Sequence, residues 1–363
     1  MKGRFTINFP AMQDNFKIVQ DRVDPSCAIG AVVKANGYSC GVDKVGQALA
    51  EAGANLFFVA TLQEALNLRH AVGNSPQVAV FNGFWQPESE AYVAHNIVPV
   101  LNSMPEIEAY SVLSQKMGKT LPAMIHIDTA MNRLGLETQD LQTLQEHPDK
   151  LSGTDILYVM SHFSSADDPK SDTHKTQNEA FLKACSMLPP AKKSLANAPG
   201  LFRNKEYHYD MVRPGLCLYG LNPLPEQPNM MKPVVSLDAP ILQIREAKAG
   251  EACGYNETYR FEKNTKLAIV SLGYADGLLR SLTNRGKFYY KGYECPIRGR
   301  VSMDLTTIDL SNIPENEMPS AGEWVEIVGE HQTIEQLAED AGTNTHELLT
   351  SIGIRYERVY INP

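Results

Sequence analysis

Lys34 closes the run AIGAVVK, where six small or apolar residues lead to one amine. An amine at the end of a buried strand is partly desolvated, which favours its neutral form and suits it to attack a carbonyl and form an imine. Taken alone, most lysines after a strand simply reach solvent. Four further groups fall at or just beyond the ends of strand-like runs, or lead into the last of them, where they could share a pocket: Arg133 in DTAMNRLG, His162 in SHFSSADD, Asn197 in ANAPG and Arg213 in VRPGLCLYG. An arginine's fork of donors suits a carboxylate, though a strand-end ion pair is its commoner use.

The elements that position these groups fall into two patterns. Up to about residue 230, short β-branched runs alternate with helical stretches. The runs are AIGAVVK, NLFFVA, QVAVFNG, NIVPVLN, AMIHID, ILYVMSHF, KSLANA and GLCLYG. Segments such as DKVGQALAEAG, LQEALNLRHAV, PEIEAYSVLSQKMG and NEAFLKACSML repeat apolar residues every three or four positions, as helices do. This alternation predicts an α/β fold, a (β/α)8 barrel over 1–231 whose functional residues lie where strands end. Past the Pro-rich LNPLPEQPNMMKP, closely spaced strand-like runs predict a mostly β domain over 232–363, with helices at TIEQLAEDAG and THELLTSIG before a last strand near ERVYIN.

Composition narrows the function. With 363 residues, 43% hydrophobic and 21% charged, two domains are expected. No stretch approaches the ~20 apolar residues of a membrane helix. The opening MKGRFTINFPAMQDNF lacks the apolar core of a signal peptide, so a cytoplasmic location is expected. The formal charge of -9 and the absence of a basic run argue against nucleic-acid or anionic-membrane partners. The six cysteines are scattered, without a C-x-x-C pair or a zinc-like His cluster, so free thiols and no metal site are expected.

The segment AVVKANGYSCG closely resembles the cofactor-lysine segment of alanine racemases, in which a barrel strand ends in V-V-K-A followed by Asn, Tyr and Gly. The resemblance continues in order through DTAMNRLG, SHFSSADD, ANAPG, VRPGLCLYG, CGYNETYRF, GYADGLLR and GRVSMD. It implies a pyridoxal-phosphate enzyme that interconverts L-alanine and D-alanine, as in the supply of D-alanine for peptidoglycan. Lys34 would hold the cofactor and act as one base, with Tyr255 of the partner subunit as the other in a homodimer. Removing a proton from one face and returning one to the other calls for two such groups. His162 and Arg213 would favour the phenolate of Tyr255. Arg213 would face the pyridine nitrogen and keep it unprotonated, which favours racemisation over transamination.

By the same resemblance, Arg133 would bond the cofactor's phenolic oxygen and the substrate carboxylate. Ser302 and Met303, with Asp304 beside them, would receive that carboxylate from the other subunit. Asp167, Tyr274 and Arg300 match the substrate entrance. The phosphate would be cradled by Tyr38, Asn197, His346 and the amides of Gly215 and Leu216. Three positions depart from the family pattern. His126 stands where many members carry a carbamylated lysine that steadies the neighbouring arginine, Ala198 where a serine is usual, and His346 where a tyrosine is usual. Arg133 therefore needs another support, for which a bound anion, a different side chain or ordered water are the candidates.

Alternative readings are a broader-specificity amino-acid racemase, a related pyridoxal-phosphate decarboxylase and a non-catalytic carrier of the cofactor. A decarboxylase would want a carboxylate at the ring nitrogen, and a carrier would have no use for Tyr255 or the 302–304 loop.

Overall fold

The structure, a computed structural model, describes residues 2–362. Contacts divide them into two units, one running from Met12 to Lys232 and the other combining the residues up to Ala11 with those from Pro233 onward. The chain opens with β1 (Arg4–Asn8), which the sequence reading had placed with the barrel and which pairs instead inside the second unit.

The first unit is a closed parallel barrel of β2 (Ala28–Val32), β3 (Leu56–Val59), β4 (Gln77–Val80), β5 (Ile97–Leu101), β6 (Leu121–His126), β7 (Thr154–Met160), β8 (Lys192–Asn197) and β9 (Met211–Arg213). Closure is made by Ala28 and Ile29 of β2 against Met211 and Val212 of β9. Strands β3 and β5 are buried along their whole length, as expected of parallel strands covered on both faces. Between strands, helices such as Leu62–Val72 and Met104–Met117 coincide with the amphipathic stretches of the sequence.

One strand expectation is corrected. GLCLYG is not the eighth strand. Residues Leu216–Tyr219 form a short 3-10 turn that ends at Gly220, whose φ of 87° lies in the left-handed region glycine tolerates. The eighth strand is the preceding segment Met211–Arg213, so Arg213 ends the last strand rather than leading into it. A short apolar run between glycines is equally buried in either form, and periodicity over six residues does not separate the two.

The second unit is built on β10 (Val235–Ala247), whose first half lies between β1 on one edge and β17 (Trp324–Val328) on the other, and whose far half pairs with β13 (Thr265–Val270). The remaining strands are β11 (Ala252–Cys253), β12 (Tyr259–Arg260), β14 (Lys287–Tyr290), β15 (Tyr293–Pro296), β16 (Thr306–Asp309) and β18 (Glu357–Ile361). β1 lies between β10, antiparallel, and β18, parallel. Its alternate residues Phe5 and Ile7 are fully buried, as are Val325 and Ile327 of β17, which is the period-two signature of a sheet with one covered face. No disulfide links any of the six cysteines, and no helix among the described residues is long and apolar enough to cross a membrane.

Candidate active site

At the end of β2 the amide of Val33 donates to the carbonyl of Phe58 on β3 (2.9 Å), and Lys34 is the next residue. The chain then makes an unusual turn. Ala35, Asn36, Gly37, Tyr38 and Ser39 all have positive φ, between 51° and 64°. Left-handed backbone costs a non-glycine residue roughly 1–2 kcal/mol, so a run of this kind persists only when its surroundings hold it. Internal bonds close it: Gly37 N to Val33 O, Ser39 N to Ala35 O and Gly41 N to Asn36 O, each 2.9 Å. Tyr38 is buried and stacks on Tyr219, with ring centroids 4.4 Å apart.

The Lys34 ammonium position lies 5.9 Å from the centroid of the Phe81 ring. Burial, and then the Arg133 cation, hold its pKa below the usual lysine value, with Glu64 opposing them. Arg213 is almost wholly buried. Its Nη1 donates to the Ser194 hydroxyl and its Nη2 to the carbonyls of Ser161 and, at 3.3 Å, Leu195. All its acceptors are neutral oxygens; no carboxylate joins them. Its Nε is buried without a partner, and burial lowers the guanidinium to about 9, still a cation at neutral pH. His162, partly buried, is held well below the usual histidine range by burial, then by the charges of Arg213 and Arg133, so its ring is neutral. Asn197 Nδ2 lies 3.5 Å from His162 Nε2 and 3.4 Å from the Phe163 carbonyl.

His126 ends β6, and its Nδ1 lies 2.8 Å from Asn102 Oδ1. The Asn102 amide nitrogen donates to the carbonyls of Phe81 (3.0 Å) and Val100 (2.8 Å), which turns its oxygen toward the histidine. His126 Nδ1 therefore carries the hydrogen and Nε2 keeps its lone pair. Burial, then Arg213 and Arg133, push this ring down to about 4, so it is uncharged at neutral pH. His126 itself thus contributes no negative charge in the place of a modified lysine. Arg133, exposed, makes no ion pair among the described residues, and the Asp128 carboxylate five residues earlier accepts from the amides of Met131 (2.8 Å) and Asn132 (3.0 Å).

Gly215 lies against Tyr38: a Cβ there would sit 2.8 Å from the tyrosine oxygen. Leu216 begins the 3-10 turn beside it, and Asn197 caps the helix Ala198–Arg203 by accepting from Gly200 N at 3.0 Å. A space that only glycine leaves open, next to a phenol, suits an anion approached by backbone amides. With the buried, unpartnered Arg213 Nε and the desolvated Lys34, these residues fit a planar group bearing both a ring and a phosphate. Asp167 belongs to this unit as well, exposed in the loop after β7.

The other expected residues belong to the second unit. Tyr255 stands on a 3-10 turn and is 70% exposed. The preceding Gly254 has φ 71°, and a Cβ there would meet Arg300 N at 2.8 Å, so this turn lies directly on the Gly299–Arg300 backbone. Tyr274 N and Ala275 N donate to the carbonyls of Ser302 and Met303, each at 3.0 Å. Arg355 clasps Asp276 through Nε (2.6 Å) and Nη2 (2.8 Å) and reaches Asp304 through Nη1 (2.8 Å). One group of loops thus carries Tyr255, Tyr274, Arg300, Ser302, Met303 and Asp304. His346 stands exposed on the helix Thr345–Ser351. Sequence reasoning passed over Asn102, Ser194 and Glu64; only Glu64 carried a signal, as the fourth member of the capping-box pattern T-x-x-E beginning at Thr61.

Residues 7–223 match the alanine racemase N-terminal domain, and residues 234–360 match the alanine racemase C-terminal domain. The chain is 41% identical to a catabolic alanine racemase of Agrobacterium fabrum, over 99% of this chain and 92% of that protein. It is 36% identical to an alanine racemase of Rickettsia canadensis, over 98% of each. The crystal structure of an alanine racemase from Bartonella henselae with covalently bound pyridoxal phosphate superposes with a TM-score of 0.95 at 38% identity, covering 99% of this chain and 100% of that one.

Proposed function

Because the chain belongs to the alanine racemase family, we propose that it interconverts L-alanine and D-alanine with pyridoxal phosphate joined to Lys34. The observation that carries this reading is the company of Arg213, a buried cation surrounded by hydroxyl and carbonyl oxygens with no carboxylate among them. When bound, pyridoxal phosphate supplies the electron sink that acidifies the α-hydrogen of an amino acid. Arg213 would face the ring nitrogen and, as a fixed cation, disfavour its protonation, which would keep that sink weak and favour prompt return of a removed proton over transamination. A decarboxylase of similar plan would need a carboxylate in that place.

On this reading Lys34, favoured as a neutral amine by burial and by Arg133, takes or returns the proton on one face. Tyr255 of a second copy serves the other face in a homodimer. Its exposure, and that of Met303 on the same loops, support a surface that a second copy covers. Neutral His162 and charged Arg213 would support Tyr255 of the second copy as a base by hydrogen bonding and positive charge. Arg133 binds the substrate carboxylate together with the backbone around Ser302 and Met303 of the second copy, with Asp304 beside them. Tyr38, Asn197, His346 and the amides of Gly215 and Leu216 hold the phosphate. Asp167, Tyr274 and Arg300 line the approach, and the enzyme works in the cytoplasm.

Purified protein loaded with pyridoxal phosphate and given L-alanine is expected to lose optical rotation steadily to zero. Borohydride reduction beforehand should abolish that loss. Rotation that persists in the presence of yellow, cofactor-loaded protein would refute the reading.

A further inference from the structure

A carboxylate joins the left-handed turn that begins beside Lys34 to a second element. Glu64 is the third residue of the helix Leu62–Val72. Its Oε2 accepts from the amides of Ala60 (2.8 Å) and Thr61 (3.4 Å), while the Thr61 hydroxyl accepts from Glu64 N (3.3 Å). That reciprocal pair is a capping box and occupies only one of the two carboxylate oxygens. The other, Oε1, accepts from the amide of Asn36, 28 residues earlier, at 3.3 Å.

Asn36 is the knot of the turn. Its amide is taken by Glu64, its side-chain oxygen accepts from Val42 N (3.0 Å), and its carbonyl accepts from Gly41 N (2.9 Å). With φ 53° it occupies backbone space that an isolated residue of its kind leaves readily. Lys34 is two residues away. Pairing of β2 stops at Val32 and Val33 donates to β3, so beyond Val33 the sheet no longer directs the chain. The direction of the Lys34 side chain is then set by the turn that follows it. The same carboxylate is the negative charge that acts on the Lys34 amine against burial and Arg133.

We propose that Glu64 is a positioning residue for Lys34: through Asn36 it pins the left-handed turn to the start of a neighbouring helix and so fixes where the amine is presented. The inference rests on the reading of Lys34 as the cofactor lysine. It adds a residue that touches neither cofactor nor substrate.

Glu64→Asp separates the two jobs of this side chain, because one methylene less still allows a capping contact at Thr61 but does not span to Asn36. In the cofactor-loaded enzyme, backbone hydrogen exchange over residues 35–39 is expected to quicken by at least about ten-fold, and kcat to fall on the order of ten- to a hundred-fold. KM for alanine should stay within about three-fold and the thermal midpoint close to that of the parent, since neither substrate contacts nor the helix cap are removed. Glu64→Gln, which keeps the length and one acceptor, should recover part of kcat. Unchanged exchange over 35–39 in Glu64→Asp, or faster exchange with unchanged kcat, overturns the proposal. Should the parent protein fail to racemise alanine, the functional reading falls by itself. The exchange measurement and the yield of pyridoxal phosphate attached to Lys34 then still decide the tether, with parental values for both in Glu64→Asp overturning it.

Discussion

Arg213 and Tyr255 hold reactive groups in opposite ways. Arg213 is 2% exposed, and every oxygen it bonds belongs to its own unit. Tyr255 is 70% exposed, on a turn whose backbone is braced by Gly254 against Arg300 while its ring stands in water. The barrel groups share the first condition: burial has already moved Lys34, His126, His162 and Arg213 away from their solution pKa values. On the proposed reading, Tyr255 comes into use when a second copy brings its ring against that copy's His162 and Arg213. The contrast places groups tuned by desolvation in the barrel and leaves the exposed group of the second unit to the proposed association with a second copy.

The contrast can be broken most severely at Lys34. Lys34→Ala should reduce racemisation by at least about a thousand-fold and remove the visible absorbance of attached cofactor, as read by spectrophotometry of the dialysed protein. Tyr255→Phe should lower turnover on the order of a hundred- to ten-thousand-fold while leaving that absorbance intact. Equal loss of cofactor in both variants would erase the proposed division of labour. Gly215→Ala introduces a methyl 2.8 Å from the Tyr38 oxygen, and titration of the apoprotein should show cofactor affinity weaker by about ten-fold.

The smallest effect sharpens the barrel side of the comparison. His126 is held down to about 4 from an ordinary 6.5, so in that interval the unfolded chain binds a proton the folded one refuses. Stability from this group is full above pH 6.5 and falls as the pH drops toward 4, by on the order of 2 kcal/mol between pH 6.5 and pH 5. Denaturant titrations at those two pH values should show the fall, and His126→Asn should show a smaller one. An equal fall in the variant would mean that other groups account for it.

Much of the barrel was readable in the sequence because parallel strands covered on both faces must be apolar throughout, as LFFV of β3 and IVPVL of β5 are. The helix Leu62–Val72 was readable from its three-and-four spacing. GLCLYG misled because a buried 3-10 turn and a buried strand make the same demand for apolar side chains. The left-handed turn after Lys34 left only Asn36 and Gly37 as hints, since Ala35 and Tyr38 have no preference for that backbone. The resemblance named Lys34, Arg133, His162 and Arg213 but not their supports. Asn102 sets the tautomer of His126 through contacts between residues 24 apart, and no local pattern encodes such a meeting.

The position of β1 bears on how the polypeptide acquires its shape as it leaves the ribosome. The barrel residues are contiguous from Met12 to Lys232 and can close while synthesis continues. Strand β1, in contrast, must wait for β18: it aligns Arg4 with Glu357 and Asn8 with Ile361. Until β18 has been made, one edge of β1 lacks its permanent neighbour. Loss of the β18 residues would then leave an open edge on β1, where chance pairing with another molecule begins.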